Sequence, residues 1–152
     1  MTEDGRRTTE DAGGKYAHSG PRRAARLAAV QTLYQQEYGQ ELNAGLHLED
    51  GQEAAPPDEA LLQQIVQSVA DRRADIDAML AQALDKAWPI ERLEVILRAI
   101  LRAGVGELLD NAAMPAPLLI TDYVDVAHAF FAGKEPGLVN AVLDRVAKLV
   151  RC

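Results

Sequence analysis

Apolar positions along this chain recur every three or four residues and show no strict alternation. That is the period of amphipathic helices rather than half-buried strands. The first stripe is Leu27, Val30, Tyr34 and Tyr38, with Ala28, Leu33 and Leu42 beside it. Gly20-Pro21 marks its start, because proline suits the first helical turn and Ser19 or Gly20 can cap it. The pattern predicts a helix from about Pro21 to Gly39 or slightly beyond. A second helix is predicted to start near Asp58, a capping residue, with Leu61, Leu62, Ile65, Val66 and Val69 on one face. Its stripe continues through Ile76, Met79, Leu80 and Leu84, with a bend around "DRRAD". "DKAWPIE" reads as a turn, and Trp88 is expected to plug the core beside Pro89.

"LEVILRAILRAGVGELLD" is apolar on more than one narrow stripe, which predicts a helix at the centre of a bundle. After the Pro-rich link "NAAMPAPL" come a helix over "LLITDYVDVAHAFF", a break at "AGKEPG", and a closing amphipathic helix over "LVNAVLDRVAKLV". Arg98 and Arg102, four apart, should border the central helix and pair with acids. The fold class is therefore all-α, a helical bundle of about seven helices. Residues 1–18 are polar and charged and read as a disordered arm; residues 19–152 form a single domain. Within it, residues 43–58 read as a flexible acidic loop.

The core must rest on Leu, Val, Ile and Ala, since only 5% of the residues are aromatic. The one cysteine, Cys152, cannot form a disulfide within the chain, and the polar N-terminus has no signal-peptide core. Both suit a reducing cytoplasm, and no apolar run approaches a membrane span.

A net charge of -7 argues, taken alone, against a nucleic-acid partner. The distribution changes that picture. From Leu27 to Asp71 there are acids but no Lys or Arg, whereas Lys15, Arg22, Arg23 and Arg26 occur without an acid among them. Arginines at a helix start oppose the helix dipole. The same terminus has free N–H groups that attract anions, and guanidinium forks hold phosphate bidentately. Two readings of Arg22, Arg23 and Arg26 stand side by side: an anion site suited to an RNA backbone, or pairing with acids elsewhere on this acidic chain.

No catalytic set emerges, so the chain is not expected to be an enzyme, and no cofactor is implied. His18, His47 and His128 are scattered, no His or Cys cluster has metal-ligand spacing, and "GVGELL" lies in an apolar helix rather than a phosphate loop. Asp75/Asp77 and Asp122/Asp125 read as solvated helix faces or caps.

"RRAARLAAVQTLYQQEYG", "LRAILRAGVGELL" and "VNAVLDRVAKLVR" resemble, in order and spacing, the hallmark segments of the NusB family of bacterial transcription antitermination factors. The resemblance runs from about Arg22 to Arg151, with "VN-x-VLD" its sharpest element and the acidic loop a variable insert. It implies an all-helical fold of two packed sub-bundles. It also implies a non-catalytic RNA-binding role: recognition of boxA in ribosomal RNA leader transcripts together with NusE, a ribosomal small-subunit protein, within the RNA polymerase antitermination complex. The family's RNA surface falls on Arg22, Arg23 and Arg26, and on the loop from Phe130 to Leu138. Phe130 and Lys134 are the contact candidates there. Tyr34 and Glu37 are the candidates for partner contact, although Tyr34 also fits a core position.

The chain departs from the family at two places. Leu138 stands where a Phe often precedes "VN", and Ala24-Ala25 interrupt the basic run. The alternatives are a helical adaptor or homodimer that does not bind RNA, and a NusB-like module detached from a ribosomal RNA methyltransferase.

Overall fold

The computed structural model describes residues 20–39 and 56–151. The expected N-terminal arm and most of the acidic loop lie outside the described residues. Six α-helices and one short 3-10 turn account for nearly all of what is described: α1 (Pro21–Tyr38), α2 (Glu59–Asp71), α3 (Arg73–Ala83), the turn Ile90–Arg92, α4 (Val95–Asp110), α5 (Ala116–His128) and α6 (Glu135–Val150). The helix count is one below the expectation, and the all-α class stands. No described helix is long and apolar enough to cross a membrane.

Local chemistry sets the boundaries. Pro21 opens α1 behind Gly20, and Gly39 closes it at φ 77°, the left-handed geometry that glycine adopts without steric cost. Its N–H reaches the Gln35 carbonyl at 2.8 Å. Asp58 caps α2 by accepting from the Leu61 N–H at 3.1 Å. The bend expected at "DRRAD" is a break at Arg72 between α2 and α3. Helix α6 begins earlier than the pattern suggests, at Glu135, because Pro136 is tolerated in a first turn where no N–H is needed. Helix α5 stops at His128, so Phe130 and Phe131 sit in the turn beyond it.

Helix α4 packs against all five other helices. It serves both the α1–α2 pair and the α5–α6 pair, and Ile100, Leu101, Ala103 and Val105 are fully enclosed. At Gly104 the backbone of α4 approaches α6 so closely that an added Cβ would lie 2.8 Å from Leu143 Cδ1. Polar side chains close the far end of α4. Asp110 takes Ser68 Oγ at 2.6 Å. Arg151 donates to the carbonyls of Leu108 and Asn111 at 3.0 and 2.9 Å.

Trp88 departs from its expected place. It is 44% exposed rather than plugging the core. The chain there runs extended through Pro89 into the 3-10 turn, so a flanking ring is not carried inward on a helical face.

Candidate nucleic-acid interface

Helix α1 splits its three arginines between three environments. Arg22 is exposed and lines a cleft of about 360 Å³ with Asp58, Gln64, Asn111 and Pro115. Arg23 is half-buried and donates through Nη2 to the Asp125 carbonyl of α5 at 3.3 Å. Arg26 is fully enclosed. In this structure it has no exposed surface for the RNA contact expected of it.

The enclosed Arg26 is instead the hub of a buried polar cluster. Its Nε and Nη2 bind the two carboxylate oxygens of Glu107 at 2.7 Å each. Nη1 binds Asp122 Oδ2 at 2.7 Å. Tyr123 donates to Glu107 Oε1 at 2.8 Å, and Asn111 donates to Oε2 at 2.7 Å. Burial alone would lower the Arg26 pKa, but hydrogen bonding to Glu107 and the charges of Glu107, Tyr123 and Asp122 outweigh it and raise it. Burial, then the Glu107 charge, hold the Tyr123 phenol well above its ordinary range. Asp122, expected on a solvated face, is 92% buried by its own exposure of 8% and is committed to this cluster. The sequence signal for the cluster was the single carboxylate inside "RAGVGELL": a charge in an enclosed helix needs a buried cation.

Glu37 has an internal use as well. Its carboxylate bridges Arg98 and Arg102, with the Arg102 contact at 3.0 Å. Arg102 also binds Asp77 through Nε and Nη2 at 2.8 and 3.1 Å. The expected pairing of Arg98 and Arg102 with acids is therefore present, and it holds the C-terminal half of α1 to α4.

Tyr34 is part-buried and its ring lies 5.0 Å from that of Tyr38. Both face a groove of about 410 Å³ that they share with Glu94, Ile96, Phe130 and Phe131. Neither phenylalanine is fully exposed, and both pack partly against the core. A second groove, of about 610 Å³, meets the first at Glu94 and is lined by Trp88, Arg92, Lys134 and Leu138. The Lys134 ammonium stands 5.7 Å from the Trp88 ring centroid, an exposed cation–π contact worth about 0.5–1 kcal/mol. The sequence pattern places the Trp88 ring in the core beside Pro89 and not in this groove.

Phe130 and Lys134 are thus in adjoining grooves, whereas Arg22 lies at the other end of α1. At 1.5 Å per residue, Arg22 and Tyr34 are roughly 18 Å apart along the helix axis. Among the described residues these cationic and aromatic points are separated rather than gathered into one basic pocket.

The model of the NusB family matches residues 23–148. The transcription antitermination protein NusB of Rhodopseudomonas palustris is 41% identical over 86% of this chain and 83% of its own length. That of Sinorhizobium medicae is 43% identical over 86% and 88%. Among solved structures, NusB of T. maritima superimposes with a TM-score of 0.68 at 26% identity, covering 84% of this chain and 91% of that one. A crystal structure of the antitermination factors NusB and NusE in complex with dsRNA gives a TM-score of 0.64 at 23% identity, over 84% and 96%. That likeness concerns the fold. With a family match across most of its length and relatives above 40% identity, the chain belongs to the NusB family.

Proposed function

We propose that this chain is an RNA-binding transcription antitermination factor that binds boxA of ribosomal RNA leader transcripts together with NusE, as part of the RNA polymerase antitermination complex. The observation that carries the reading is the family match over residues 23–148. A fold neighbour was solved with NusE and double-stranded RNA, which gives the reading its two partners. The role is that of a binding protein rather than an enzyme.

The surface divides accordingly. Arg22 and Lys134 are exposed and can meet phosphates, and Arg23, next to Arg22, is half-buried. Arg26 fixes α1 to α4 and α5 and so aims Arg22 and Arg23. The Tyr34 groove, with Phe130 in its wall, is the partner-facing part. Glu37 supports it through Arg98 and Arg102.

The test is fluorescence anisotropy of labelled boxA RNA against a scrambled RNA, with and without NusE. Preferential binding to boxA, tightened by NusE, is expected. Reversing Arg22 and Arg23 to Glu should weaken RNA binding at least tenfold, since one charge-assisted hydrogen bond of about 1.5 kcal/mol is worth that much. Equal, feeble binding of both RNAs with NusE present would refute the reading.

A further inference from the structure

The family's aromatic is missing where Leu138 precedes Val139 and Asn140, yet the groove beside Leu138 holds the one tryptophan of the chain. Trp88 is 44% exposed, so part of its indole ring is open to this groove. The Lys134 ammonium stands 5.7 Å from its ring centroid. The floor is apolar, from Leu93, Leu97 and Leu138. The polar groups are of both signs: Arg92 and Lys134 are cations, Glu94 and Glu135 carboxylates.

We infer that Trp88 is a stacking platform for one unpaired nucleobase of the bound RNA. The inference rests on the RNA-binding reading above and names a residue in it. A flat base fits an exposed indole face above an apolar floor, and stacking of this kind needs no particular base. The two carboxylates repel phosphate, so the strand enters base-first. They accept from exocyclic amino groups, which adenine, cytosine and guanine carry and uracil lacks. Lys134 swings from the ring to a flanking phosphate, with Arg92 available to a second. A base held inside a duplex has no free face to offer, so the occupant is single-stranded. The groove joins the Tyr34 groove at Glu94, so a strand here runs beside the partner-facing surface.

The single tryptophan makes the test direct. Excitation at the indole band reports Trp88 alone, while anisotropy of an end-labelled RNA reports binding wherever it occurs. Unlabelled single-stranded boxA RNA should quench Trp88 emission at the same midpoint as the anisotropy change. Trp88→Ala should weaken binding about tenfold, the scale of one base–aromatic stack. Trp88→Phe should restore most of it, and circular dichroism of both variants checks the fold. RNA binding by anisotropy with unmoved Trp88 emission and unchanged affinity in Trp88→Ala would overturn the inference and leave the RNA-binding reading intact. Quenching by NusE but not by RNA would assign the groove to protein and also overturn it. No RNA binding by either readout would bring down both.

Discussion

Arg26 keeps its charge without access to water because Glu107 meets it with both oxygens and Asp122 meets a third N–H. A charge held this way is costly to strand. Glu107→Ala should destabilise the protein by about 3–5 kcal/mol, as for other broken buried pairs. At roughly 2–4 °C per kcal/mol for a chain of this size, the melting temperature should fall about 10 °C. The double variant Arg26→Leu/Glu107→Leu should recover much of that loss, since no charge is left behind. Lys148→Ala, which breaks an exposed pair with Asp144, should cost at most a few tenths of a kcal/mol. Tyr123 adds a pH signature. Its folded-state pKa is raised, so its contribution is complete below the ordinary tyrosine value near 10 and is lost as pH rises beyond it. Chemical denaturation above pH 10 should show that loss in the wild type and not in Tyr123→Phe. At this scale the sequence was only half legible. Arg98 and Arg102 could be assigned acidic partners from their spacing on an apolar helix. Arg26 could not, because the residues that enclose it are 81 and 96 positions away.

Helices, in contrast, were written locally. Gly20-Pro21 and Asp58 set boundaries through caps and fixed dihedrals that depend on neighbours alone. Asp58→Ala should therefore cost about 1 kcal/mol in thermal or denaturant unfolding. The central place of α4 was also legible, since a helix apolar on several faces has to be surrounded. How closely it is approached was not. Gly104 is usable only because α6 brings Leu143 against it. Gly104→Ala gains helix propensity of about 1 kcal/mol but intrudes on an enclosed side chain, and overpacking costs about 1–3 kcal/mol. Urea unfolding should show net destabilisation, and the same change should be favourable in a Leu143→Ala background. Trp88 and the phenylalanines after α5 were misplaced for one reason: helical periodicity does not extend into turns, so it assigns their rings no face.

Across the described residues, the three arginines that open α1 are divided between interior and surface. Of the arginines that open α1, Arg26 is spent on the interior, Arg23 is shared with α5, and Arg22 faces solvent. The family resemblance names the candidate residues as a set, but how exposed each one is depends on burial that the sequence does not show. The central claim is that Arg22, Arg23 and Lys134 meet RNA phosphates while Arg26 does not. The salt dependence of boxA affinity, measured by anisotropy in the presence of NusE, tests it most directly. Three single-strand phosphate contacts give a log–log slope of about -2, and removing one by Arg22→Gln should reduce it by about 0.7. A slope near zero, or one unchanged in Arg22→Gln, would contradict this account of how the chain holds RNA.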